Sequence, residues 1–77
     1  MDAKEELKYL KNLSKNIKRI RKEKGLNQAE CGIDERTMRR IENENFNPSY
    51  LTLLQVAEAF EMDLADLIQE LGFKFKK

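Results

Sequence analysis

The sequence predicts an all-α fold, a bundle of five helices joined by short loops. Three observations predict it. Apolar residues recur at three- and four-residue steps through most of the 77 positions. Capping residues and glycines fall between these stripes at helix-length intervals. No stretch carries a sheet signal of consequence. A chain of this length is one domain at most.

The first helix is predicted from about Ala3 to Lys24, with Leu7, Leu10, Leu13, Ile17 and Ile20 as its inward stripe. Asn12 and Ser14 are possible breaks, so an N-terminal helical arm over residues 1–12, joined to a separate helix near Ser14, stays open. Gly25 stops the helix, and Lys22 and Lys24 suit the negative end of its dipole. Asn27 caps a second helix that opens Gln28-Ala29-Glu30. Gly32 turns the chain, and Asp34 caps a third helix from Glu35 to about Asn43, with Ile33, Met38 and Ile41 inward. Glu44 to Pro48 reads as a loop. Ser49 caps a fourth helix, Tyr50 to about Phe60, facing inward through Leu53, Val56, Ala57 and Phe60, with Leu54 on its edge. Asp63 caps a fifth, with Asp66 in its positive first turn. Leu64, Leu67, Ile68 and Leu71 pack inward there, and Gly72 ends it. Residues 72–77 form a basic tail that alternates like a short strand or lies loose.

A net charge of +1 conceals an asymmetry. Residues 1–26 carry nine basic and four acidic groups, whereas residues 48–73 carry five acids and no base. Such a dipolar chain suits docking on a polyanion through one side, although a solvated lysine-rich face has the same composition. One cysteine and no histidine exclude a disulfide framework and a Cys/His zinc site within one chain. No cofactor or metal is implied. Ser14 and Ser49 sit in capping positions, so no nucleophile–base set can be assembled and an enzyme is not expected. No apolar run reaches membrane-spanning length, and the charged N-terminus is unlike a secretory signal, so a cytoplasmic location is expected.

The chemistry concentrates in the third helix, whose outer face is Glu35, Arg36, Arg39 and Arg40. A short helix, a glycine turn and a helix with that face have the form of a major-groove reader, since arginine pairs bidentately with guanine O6 and N7. A solvated helix can carry the same residues.

The run Asn16-Ile17-Lys18-Arg19-Ile20-Arg21-Lys22-Glu23-Lys24-Gly25-Leu26-Asn27-Gln28-Ala29-Glu30 resembles the opening of the Cro/cI-type (xenobiotic-response-element type) helix-turn-helix family. Cys31-Gly32-Ile33-Asp34-Glu35-Arg36-Thr37-Met38-Arg39-Arg40-Ile41-Glu42-Asn43 resembles its recognition segment. Asn47-Pro48-Ser49, followed by Leu53-Leu54, Val56-Ala57 and Phe60, resembles its fourth helix. The likeness covers residues 13–71 and implies a five-helix, lambda-repressor-like bundle. Phage repressors, restriction–modification controller proteins and antitoxin-type repressors share that fold.

The resemblance implies that Gln28 contacts phosphate and braces the reading helix, and that Glu35, Arg36 and Arg40 read bases. Arg39 is implied to reach base or phosphate, Thr37 phosphate or a thymine methyl, and Asn43 phosphate. Arg21 and Glu42 match a partly buried ion pair between the first and third helices, serving geometry more than stability. The implied function is a sequence-specific regulator of transcription, a repressor, acting as a homodimer on an inverted repeat in double-stranded DNA. The alternative is an antitoxin-like or adaptor module on the same fold with weak DNA affinity.

The chain departs from the family pattern after Glu30. Gln28 to Gly32 is four steps where the family has about eight. Removing four residues turns a helix by roughly 400° and shortens it by roughly 6 Å, so the facing is nearly kept while a turn is lost. Either four further residues lie between Glu30 and Cys31 in the molecule, which the intact flanking motifs favour, or the second helix has collapsed to a turn. Glu44 stands where a glycine is common, so Asn45 is a candidate for the left-handed conformation. Phe46 takes a position that is often basic, as a packing residue, a dimer contact or a sugar contact, with packing favoured. Leu51, with Tyr50, Met62, Phe73 and Phe75, is a candidate apolar patch for a partner subunit, against a locally enlarged core. Cys31 takes an apolar position and is expected to be a buried thiol.

Overall fold

The computed structural model describes residues 1–43 and 46–69. Within them the chain forms four α-helices and one 3-10 turn, with no strand: α1 (Ala3–Glu23), the 3-10 turn Gln28–Glu30, α2 (Glu35–Glu42), α3 (Tyr50–Ala59) and α4 (Leu64–Leu67). The all-α class stands, but the second of the five expected helices is a single 3-10 turn.

Helix α1 begins where Asp2 accepts a hydrogen bond from the Glu5 amide at 2.8 Å. It is one continuous helix, so neither Asn12 nor Ser14 breaks it. At its end Gly25 adopts φ +69°, the Gly25 amide donates to Lys22 O at 3.0 Å, and the Leu26 amide donates to Arg21 O at 3.1 Å. Together these bonds satisfy the last carbonyls of the helix. The expected stripe is only half used. Ile17 and Ile20 are buried and Leu10 and Leu13 half-buried, but Leu7 is exposed. Twenty-one residues rise about 31 Å, and all the buried residues of the helix, Ser14, Asn16, Ile17 and Ile20, lie in its second half.

The chain passes from Glu30 to Cys31 without interruption: Cys31 caps the 3-10 turn, and its Sγ donates to Asn27 O at 3.4 Å. The expectation of four further residues is therefore corrected. Asn27 Oδ1 accepts from the Ala29 amide at 3.0 Å, and Glu30 Oε1 accepts from the Asn27 amide at 2.9 Å. This reciprocal pair closes the turn in the space of one helical revolution. Cys31 enters the core fully buried, and burial pushes its thiol pKa up, which keeps it protonated and inert.

The core is completed by Met38 and Ile41 of α2, Val56 and Ala57 of α3, Phe60 and Leu67. Leu26, Ile33, Phe46, Leu53, Met62 and Leu64 pack around it. Gly32 brings the turn against α3: a Cβ there would lie 2.8 Å from Gln55 O and 2.9 Å from Ala59 Cβ, and the backbone holds φ +80°. Helix α3 starts on Ser49, whose Oγ accepts from the Thr52 amide at 3.1 Å. It ends with Glu61 at φ +55°, the Glu61 amide bonded to Glu58 O and the Met62 amide to Ala57 O, each at 3.0 Å.

Helix α4 is shorter than expected, a single turn ending at Leu67. Asp63 occupies its N-cap position but makes no side-chain cap bond, and Ile68, expected inward, is 37% exposed because the helical period stops before it. The segment is held from the other side. Asn16 Nδ2, buried in α1, donates to Gln69 O at 2.8 Å, and Asn12 Nδ2 to the same oxygen at 3.5 Å. The expectations for Glu44, Asn45, Leu71, Gly72, Phe73, Phe75 and the tail fall outside the described residues. Among the described residues no helix is long and apolar enough to cross a membrane.

Candidate nucleic-acid interface

Helix α2 is short, so its position depends on what grips its two ends. At the start, Asp34 accepts from the amides of Arg36 (2.9 Å) and Thr37 (3.3 Å) and from the Thr37 hydroxyl. The Thr37 hydroxyl bond, with the two amides, holds the Asp34 carboxyl below the usual carboxylate range. The side chain that resemblance assigns to phosphate or thymine is thus part of the cap, with its hydroxyl committed in the free protein.

At the far end, Arg21 of α1 makes a two-pronged bond to Glu42, Nε to Oε2 at 2.6 Å and Nη2 to Oε1 at 3.0 Å. Both side chains are nearly out of water, at 11% and 5% exposure. The hydrogen bonding to Glu42 outweighs the desolvation and raises the Arg21 pKa, so the guanidinium stays charged. Its remaining Nη1 donates to Leu26 O at 2.8 Å. Gln28 Nε2 donates to Glu42 Oε1 at 3.3 Å, so the shortened turn still braces the helix. Glu42 therefore receives donors from both segments that precede α2.

On this frame Glu35, Arg36, Arg39 and Arg40 are all exposed. They do not stand alike. Arg39 Nη2 lies 3.5 Å from Glu35 Oε1, a solvent-exposed pair one helical turn apart. The Arg40 guanidinium lies over the Phe46 ring, 4.5 Å from its centroid. Arg36 has no ion pair among the described residues. Asn43 caps the helix C-terminus through its amide bond to Arg40 O at 3.2 Å and is exposed.

A shallow groove of about 430 Å³ joins this end of α2 to α1, lined by Lys18, Gln28, Arg39, Arg40, Glu42 and Asn43. The structure thus gathers Gln28, Arg39, Arg40 and Asn43 into one groove, with Glu35, Arg36 and Thr37 further back along the same helix. Lys18 joins them from the basic first helix, where the sequence did not single it out among its neighbours. Its signal was present: it lies one turn before Arg21, on the face of α1 that meets α2. The apolar patch is only partly seen. Tyr50 and Leu51 are 65% and 68% exposed at the start of α3, whereas Met62 packs against the core.

The comparisons with known proteins agree with this geometry. Residues 17–67 match the family model described as helix-turn-helix, HTH_3. No curated protein and no solved structure gives a significant match to the chain.

Proposed function

The chain belongs to the Cro/cI-type helix-turn-helix family, and from that membership and the arginine face of α2 we propose that it is a sequence-specific regulator acting on double-stranded DNA. The observation that carries the proposal is that α2 is locked at both ends, by Asp34 and by the Arg21–Glu42–Gln28 cluster, with three exposed arginines on its outer side. On this reading Arg36 and Arg40 pair with guanine, and Glu35, once released from Arg39, accepts from cytosine N4. Lys18, Gln28, Arg39 and Asn43 meet phosphate, and Thr37 meets phosphate or a thymine methyl.

The chain acts as a homodimer, with α2 of each protomer in successive major grooves about one helical turn apart, on an inverted repeat. It represses by occupying that operator in the cytoplasm. No catalytic step is assigned to it. Selection of bound sequences from a random duplex pool tests the reading. A two-fold symmetric motif with half-sites about 10 base pairs apart is expected; equal recovery of all sequences contradicts it. An adaptor role is the second reading, favoured by exposed Tyr50 and Leu51 and by the acidic groove of Glu58, Glu61, Asp63 and Asp66. Absence of duplex binding even at low salt would support it.

A further inference from the structure

We propose that Phe46 is a positioning residue for base readout, holding the Arg40 guanidinium so that its hydrogen-bonding edge is presented to a guanine. The inference rests on the reading of α2 as the DNA-reading helix. Phe46 is half-buried and packs against the core, so its ring is a fixed surface. The next residues strengthen that anchor, since Pro48 is buried and Ser49 caps α3. Arg40 lies over this ring at 4.5 Å from the centroid, yet the residue remains exposed.

The chemistry of the two groups makes this arrangement productive. A guanidinium is attracted to an aromatic ring through its flat face, whereas its N–H groups radiate in its own plane. Stacking on Phe46 therefore occupies the face and leaves the in-plane donors for guanine O6 and N7, which are read bidentately. Arg40 has no carboxylate partner among the described residues, so nothing must be broken before it engages a base. Arg39 contrasts with it, being tied to Glu35 on the surface. An unsupported arginine loses most of its side-chain freedom on binding; one held by the ring has already lost part of it. Phe46 thus sharpens selectivity at one base position rather than adding affinity for the phosphate backbone.

The test is sequence selection and competition binding with the full chain and its Arg40→Ala, Phe46→Leu and Phe46→Tyr variants. Arg40→Ala identifies the guanine position that this side chain reads. Phe46→Leu, which keeps an apolar anchor but removes the ring, is expected to weaken preference at that position roughly two- to five-fold. Other positions and the salt dependence should stay unchanged, and Phe46→Tyr should retain the preference. An unchanged guanine preference in Phe46→Leu, or an equal loss at every position, overturns the proposal while leaving the DNA-reading function standing. If the unmodified chain selects no motif, both fall. The free protein gives a check that survives a misfolded variant. The Arg40 side-chain protons should be shifted upfield by the Phe46 ring current, and Arg40 Nε should be more ordered than Arg36 Nε. Equal mobility and no ring-current shift overturn the proposal.

Discussion

Two residues in left-handed backbone show how position decides what a substitution does. At Gly32 both the conformation and the space forbid a side chain, since a Cβ would sit 2.8 Å from Gln55 O and 2.9 Å from Ala59 Cβ. Gly32→Ala is therefore expected to cost about 2–4 kcal/mol, from left-handed backbone and overpacking together, read as a lowered thermal midpoint. Glu61 shares the backbone region at φ +55° but carries a side chain and lies exposed. Glu61→Gly should stabilise the fold by about 0.5–1 kcal/mol, the left-handed penalty less the entropy of a glycine, which calorimetry would register as a midpoint a few degrees higher. The first site was legible in the sequence because a glycine stood at a turn. The second was not, because glutamate gives no hint of a left-handed conformation.

At the scale of elements, the cap and the brace of α2 separate cleanly. The Asp34 carboxyl sits below its ordinary value of 3.8 because the Thr37 hydroxyl and two amides donate to its charged form. Unfolding returns it to that value, so the unfolded chain binds more protons in this range. The cap's contribution is complete above pH 3.8 and disappears as pH falls through the lower folded value. Fraying of α2, followed by amide NMR from pH 5 to 2.5, should show this loss, and Asp34→Asn, which caps without titrating, should flatten it. The brace fails differently. Glu42→Ala leaves Arg21 charged and largely buried, and is expected to destabilise by roughly 2–3 kcal/mol, less than for a deeply buried pair since water lies close in so small a domain. Denaturant unfolding measures this, and Arg21→Met with Glu42→Leu should recover most of it. Caps such as Asn27, Asp34 and Ser49 were readable because each acts within three residues. The clasp of Asn16 on Gln69 O was not, because its partner lies 53 positions away. The fifth helix was over-read because its apolar period continues past the point where the helix ends at Leu67.

For the whole molecule, the charge asymmetry acquires a direction. The basic first helix contributes Lys18 to the α2 groove, while the acids from Glu58 of α3 to Asp66 of α4 line a separate groove. Lys18→Ala should weaken binding to all DNA sequences alike. It should also reduce the slope of log affinity against log salt by about 0.9 per protomer. A sequence-dependent loss would instead place Lys18 at a base edge. The exposed arginine face of α2 was legible as a residue pattern, because arginines on consecutive turns of a capped helix need no tertiary information. How each arginine is held was not, because Phe46 meets Arg40 only once the loop before α3 is placed.

The reciprocal cap on the 3-10 turn and the hub at Glu42 together have a consequence for cooperativity. Neither segment before α2 has another described bond to the end of that helix, and both converge on one carboxylate. Arg21 holds both oxygens and Gln28 adds one longer bond to Oε1, so losing Gln28 leaves the ion pair in place, whereas losing Glu42 frees both segments at once. Glu42→Ala is therefore expected to speed amide exchange in the last turn of α1, the 3-10 turn and α2 together, whereas Gln28→Ala should speed it chiefly in the 3-10 turn. With only a 3-10 turn before it, α2 is tied to both preceding segments through one side chain rather than through added buried surface.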